Sequence, residues 1–159
     1  MRRLGVLSLA VFAVATPAFA QAARLDAKAS AVIQDCVKGK TGSGDWESCI
    51  GKVSGPCLDK AGGVTSAMNE CIAREHAVWD DILNETFRRL REKIDAKQQV
   101  KLREMQRAWL ASREKTCTFF WDYYQGTMAS PMSADCMNKE TARRALFLLG
   151  FLNDGPDSK

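Results

Sequence analysis

Gln106, Trp109, Arg113 and Cys117 follow one another at intervals of three, four and four residues. On an α-helix those intervals line all four side chains along one face. An amide, an indole, a guanidinium and a sulfur in one row could receive a partner, serve a reaction, or form the inside of a stapled fold. Catalysis of the Ser/His/Asp or Cys/His kind needs a base beside its nucleophile. His76 is the only histidine. It stands four residues after Ile72 and three before Trp79, the place of a residue at the edge of a packed helical face. Asp80 and Asp81 are adjacent, so on a helix their carboxylates point roughly 100° apart and make no acid/base couple. The sequence has no glycine-rich phosphate loop and no His-rich metal spacing. No enzyme activity, no cofactor and no metal are expected.

More polar residues share faces with apolar ones. Glu75 precedes Trp79 by four, Asp80 precedes Asn84 by four, and Thr141 and Arg144 are three apart with Leu148 next on their face. A half-buried arginine is costly unless a carboxylate and other acceptors meet it. The first reading is therefore an internal network: Arg113 or Arg144 paired with Glu75 or Asp80, with Asn84 and Gln106 supplying hydrogen bonds. The second is a groove in which the same groups receive a partner. The run "CTFFWDYY" at Cys117 to Tyr124 adds aromatic rings that cannot all face one core. They are either covered by the N-terminal region or exposed for binding, and the sequence leaves both open.

The elements that must position these residues follow from periodicity. Met68, Ile72, Trp79, Leu83, Phe87, Leu90 and Ile94 predict one long amphipathic helix from about Ser66. The chain turns around "DAKQQ", and Leu102, Met105, Trp109, Ser112, Thr116 and Phe120 trace a second helix ending near Gly126. "GTMASPMSAD" reads as a loop, with Ser133 or Asp135 able to cap a third helix from about Ala134 to Leu152. Upstream, "ARLDAKASAVIQDCV" is a helix closed by a glycine-rich loop. A second short helix is expected over Trp46–Lys60, weakened by Gly51, Gly55 and Pro56. The "RRLREK" stretch at Arg88–Lys93 reads as a solvated face.

The first twenty residues have two arginines, an apolar run from Leu4 to about Ala15, and Ala18-Phe19-Ala20. That is the layout of a secretory signal, and the run is short for a membrane span. Export makes periplasmic or secreted location, with no stable membrane insertion after cleavage, the expectation. Without Arg2 and Arg3 the chain holds 21 basic and 19 acidic residues, a formal charge of +2. So small an excess argues against a nucleic-acid binder. In an exported chain of this size, Cys36, Cys49, Cys57, Cys71, Cys117 and Cys136 read as three disulfides. The simplest scheme joins neighbours, and Cys117–Cys136 is the firmest pair because both lie far from the other four.

The expected fold is all-α: a small disulfide-stapled helical bundle of three long helices plus a cysteine-rich N-terminal helical pair. Its parts are a signal peptide (1–20), the cysteine-rich segment (21–63), a helical domain (64–152) and a flexible tail (153–159).

From Cys71 to about Leu152 the chain resembles the N-terminal domain family of the lysozyme inhibitor LprI. The resemblance is carried by Cys71, Asp80, Leu83, Asn84 and Leu90, then by Gln106, Trp109, Arg113 and Cys117, by Gly126-Thr127, and by Cys136, Thr141, Arg144 and Leu148. Phe87 stands where the family commonly has tyrosine. The resemblance implies a small secreted helical domain that binds protein in the cell envelope, with lysozyme or another envelope protein as partner. It carries no inhibitory residue across and leaves Cys36, Cys49 and Cys57 outside. The slight positive charge is the opposite of what steering toward a basic lysozyme would use. The element expected to enter a partner is the loop Gly126 to Ser133, with Gly126, Thr127, Met128 and Ser130 as candidates. The alternatives are a structural or stress-related envelope module with no lysozyme contact, and a carrier of small apolar ligands.

Overall fold

A computed structural model of the chain describes residues 17–40 and 43–154. The signal-peptide expectation rests mostly on residues 1–16, and that of a flexible tail mostly on 155–159; both ranges lie outside the described residues. The elements are α1 (Pro17–Lys38), α2 (Ser43–Trp46) continued by a 3-10 turn (Glu47–Cys49), α3 (Ser54–Ala61), α4 (Thr65–Lys93), α5 (Ala96–Tyr123) and α6 (Ala129–Asp154). No strand occurs among the described residues, and the fold is all-α.

α4 has no glycine or proline in its 29 residues and buries Cys71, Ile72, Glu75, Val78, Trp79, Leu83, Thr86 and Leu90. These positions recur at helical spacing, so one stripe faces the core. Gly62, at φ 59°, ends α3 in the left-handed region that favours glycine, and Gly63 follows at φ 78°. The link from α4 to α5 is short. The Asp95 carboxylate accepts from the Gln98 N–H at 2.8 Å while the Gln98 side chain accepts from the Asp95 N–H at 3.0 Å, a capping box. Gln99 then donates to the carbonyls of Arg91 and Ile94, which the end of α4 leaves free.

α6 seats along α4 on one side and along α5 on the other. Ala142 and Ala145 of α6 are fully buried, and small side chains there let helices approach closely around Trp79, Leu83 and Leu148. Burying each such large apolar side chain contributes about 1.5–3 kcal/mol. α1 adds Ala29 and Ile33 to the same core, and α3 packs on α4. The disulfides join Cys36–Cys49, Cys57–Cys71 and Cys117–Cys136, each pair adjacent in sequence. Closing loops of this size stabilises by roughly 3 kcal/mol apiece in the chain-entropy model.

Three expectations need correction. The helix over Trp46–Lys60 is broken, because the chain between Cys49 and Ser54 turns at Gly51 (φ 89°) to aim backbone N–H groups at α4. The loop after α5 is shorter than expected: α6 starts at Ala129, with Gly126 (φ 92°) reversing the chain. Pro131 falls in the first turn of α6, where a missing N–H costs nothing. On α5, Ser112 and Thr116 face solvent, and the seam against α6 is formed by Leu102, Met105, Gln106, Trp109, Arg113 and Cys117.

Candidate functional site

Two polar clusters and one aromatic end stand out. The first cluster is built on Glu75, which has no exposed surface. Its Oε1 accepts from the Gly51 N–H (2.7 Å), Trp79 Nε1 (3.1 Å) and Asn138 Nδ2 (3.2 Å). Its Oε2 accepts from the N–H groups of Val53 (3.0 Å) and Ser54 (2.7 Å), at the start of α3. Burial alone would push the carboxyl pKa up. The bonds from Ser54, Gly51, Asn138 and Trp79 outweigh it and hold the group below its ordinary 4.5. A carboxylate at a helix N-terminus is electrostatically favoured. Cys71 lies one turn before Glu75 and is bonded to Cys57 of α3, so two adjacent turns of α4 fix that segment.

The second cluster is the stripe of α5 facing Thr141 and Arg144 of α6. Arg113 Nη1 donates to Thr141 Oγ1 at 2.7 Å, and Arg144 Nε donates to Gln106 Oε1 at 2.9 Å. Both guanidiniums lie over the Trp109 ring, at 4.7 Å for Arg113 and 5.5 Å for Arg144, and Arg144 also lies 5.3 Å from Phe147. Thr141 gives its single hydroxyl hydrogen to the Met137 carbonyl at 2.7 Å. Its oxygen accepts from Arg113 and lies 3.2 Å from His76 Nε2. Burial lowers the His76 pKa from its ordinary 6.5; Asp80 pulls it up and Arg113 pushes it down. Burial likewise lowers the Arg144 pKa.

The expected pairing of Arg113 or Arg144 with Glu75 or Asp80 is therefore not what the fold builds. Glu75 is saturated by N–H donors, and Asp80 Oδ2 accepts from Asn84 Nδ2 at 2.9 Å on the outer side of α4. The arginines meet a hydroxyl, an amide and an indole face instead. Gln106, Trp109, Arg113, Thr141 and Arg144 are brought together; Asn84 stays apart from them.

The third feature is the end of the α5–α6 hairpin. Phe119, Trp121, Tyr123, Tyr124 and Met128 are all exposed, Tyr123 at 67%. Ring contacts order them: Phe119–Tyr123 at 5.9 Å, Phe120–Tyr124 stacked at 5.8 Å, and Tyr123–Tyr124 edge-on at 4.9 Å. The N-terminal region thus leaves most of these rings uncovered. Cys117–Cys136 ties the two helices just behind them. Gly126, Thr127 and Met128 lie in the connecting turn and are exposed. Ser130 does not belong with them: it lies inside α6, partly buried, and accepts from Asn69 Nδ2 at 2.8 Å.

A family model described as Lysozyme inhibitor LprI matches residues 57–148, more than half of the chain. The chain belongs to the lysozyme inhibitor LprI family. The match starts at Cys57, not at Cys71, so α3 and the Cys57–Cys71 bond fall within the LprI region. That extends the resemblance read from sequence, which left Cys57 outside. No curated protein and no solved structure matches the chain.

Sequence reasoning missed the backbone partners of Glu75, which lie 21 to 24 residues away, and missed Asn138. An asparagine inside a helix is unfavourable unless its side chain is used, and that was the available signal. An open groove of about 470 Å³ between α1, α4 and α6 is lined by Val37, Val78, Ile82, Leu146 and Leu149 and rimmed by Asp81 and Arg89. Among the described residues no helix is long and apolar enough to cross a membrane.

Proposed function

We propose that this chain is a periplasmic or secreted protein-binding domain that inhibits a lysozyme, docking through the aromatic end of its α5–α6 hairpin. The observation that carries this reading is the exposed cluster of Phe119, Tyr123 and Tyr124, whose rings touch one another beside the turn at Gly126–Met128, with Trp121 exposed on another side of the same helix end. Aromatic side chains offer large, rigid contact area at low entropic cost, and Trp and Tyr are enriched where interfaces concentrate their energy. Contiguous exposed apolar patches of this kind mark interaction sites. The family description supports lysozyme as the target.

Docking through aromatic contact is also compatible with the chain's charge. A chain at +2 over residues 21–159 gains nothing from long-range steering toward a basic enzyme. Binding through aromatic contact needs no steering and is insensitive to salt screening.

The test is a titration of oxidised protein against lysozymes of different classes, scoring peptidoglycan hydrolysis at low and at physiological salt. Stoichiometric inhibition of at least one class, little changed by salt, is expected. The double substitution Phe119→Ala with Tyr123→Ala, which removes two rings in contact on one face, should weaken it at least tenfold while leaving the helical circular-dichroism signal and the melting temperature in place. No inhibition by any class at large excess would overturn the lysozyme reading. Full inhibition by the double variant would remove the aromatic cluster from it.

A further inference from the structure

We propose that the Arg113–Trp109–Arg144 stack is a carboxylate-binding site, able to take either a small free carboxylate or an acidic side chain of a partner protein. It is distinct from the aromatic end: Arg113 precedes Phe119, the first of those exposed rings, by six residues, or about 9 Å along α5, and faces α6 where Phe119 faces solvent. The proposal does not depend on whether a lysozyme is inhibited.

The site is marked by unmet charge. Only three other cations among the described residues meet carboxylates: Arg88 with Glu85 and Glu92, Lys139 with Asp135, and Arg143 with Glu47 and Glu140. Those pairs are all on the surface, where they are needed least. Arg113 and Arg144 make no ion pair among the described residues, although Arg144 is 91% buried on its 9% exposure and Arg113 half-buried. A guanidinium has five N–H donors and no acceptor. Each of these two makes one hydrogen bond, to a neutral oxygen. Arg113 Nε and Arg144 Nη2 are shielded from solvent with no partner at all. Orphaned buried donors are rare enough in folded proteins that each asks for a missing group.

The nearby acidic side chains do not fill the gap in this fold. Glu75 has its two oxygens occupied by five donors, and Asp80, whose Oδ2 accepts from Asn84, makes no ion pair with either arginine. His76 Nε2 lies 3.2 Å from the Thr141 oxygen that Arg113 meets and brings no negative charge to the arginines. Meanwhile the Trp109 ring holds both cations in place by attraction to its π face, a contact that uses none of their N–H hydrogens. A carboxylate matches that edge geometry, because its two oxygens accept parallel N–H bonds from one guanidinium. A trapped water would fill space and satisfy a donor without offsetting the charge.

The experiment uses the oxidised full chain labelled with nitrogen-15, following the arginine Nε–Hε resonances during titration. One titrant is succinate and another is a blocked tripeptide with a central glutamate. Sodium chloride at matched ionic strength is the reference. The resonances of Arg113 and Arg144 are identified by their loss in Arg113→Lys and Arg144→Lys. We expect both to move saturably with at least one carboxylate titrant and not with chloride. Arg113→Lys, which keeps the charge but loses the fork, should weaken that binding about tenfold or more. Saturation by the tripeptide alone assigns the site to a protein side chain, saturation by succinate alone to a small metabolite, and by both to the carboxylate wherever it is borne. Movement equal to that in chloride would show screening only and overturn the proposal. So would unmoved resonances, or an Arg113→Lys variant that binds as well as the parent. Should the lysine variants fail to fold, assignment through bonds replaces them and the parent's titration decides alone.

Discussion

Glu75 of α4 and Arg144 of α6 are both charged and both almost wholly buried, yet their surroundings are opposites. Glu75 sits among five donors, three of them backbone N–H groups from the stretch Gly51–Ser54. Arg144 has one neutral acceptor, two aromatic faces and a terminal nitrogen with nothing to bond. The contrast separates two uses of a buried charge. A carboxylate saturated by fixed backbone donors organises the chain around itself and has no capacity left for a ligand. A guanidinium held by ring faces is kept in place with much of its hydrogen-bonding edge unspent.

The largest expected effect tests the first half of this contrast. Glu75→Ala removes the acceptor for five donors at once and should destabilise by about 3–5 kcal/mol, read as a shift in the denaturant midpoint. A loss below about 1 kcal/mol would mean that the Gly51–Ser54 turn does not depend on the carboxylate.

Next comes acid. The folded Glu75 carboxyl titrates below its ordinary 4.5, so the unfolded chain binds its proton first as pH falls. Glu75 therefore contributes its full stability above that ordinary value and loses it as pH drops through the lowered folded pKa. Denaturant midpoints measured across that window should fall in the parent and fall less steeply in Glu75→Gln.

The smallest effect tests the second half. Arg113→Ala removes the bond to Thr141 and the contact with Trp109, together about 1–2 kcal/mol. If thermal and chemical denaturation show a loss as large as that of Glu75→Ala, Arg113 belongs with the structural charges and the contrast fails.

How much of this was legible in the sequence depended on range. The stripes of α4 and α6 repeat every three or four residues, and the cysteines pair with their neighbours, so both could be read locally. The Glu75 cage could not: its backbone donors come from a turn 21 to 24 residues upstream, and a backbone N–H leaves no trace in the amino-acid letters. Pro131 looked like a loop residue because proline breaks helix interiors, but the first turn tolerates it. Arg113 and Arg144 were rightly placed on faces shared with apolar residues, and Gln106 does supply a hydrogen bond, to Arg144, whereas Thr141 was not foreseen as the acceptor for Arg113. The partners first expected for them were wrong because any carboxylate at helical spacing looks available until its other bonds are known. On α5, Ser112 and Thr116 point outward because α6 covers a narrower strip of that helix than its apolar residues suggested.

That narrow strip governs how the molecule moves. α5 buries only Leu102 and Cys117 among its 28 residues. Helices with few buried apolar contacts open at lower free energy than the domain as a whole, so amide protons of α5 should exchange before those of α4 and α6. The helix cannot drift away when it opens. The short link at Ile94–Asp95 pins one end and Cys117–Cys136 clamps a point near the other, so α5 is strung like a bowstring between two anchors, and any opening of it is confined to the span between them.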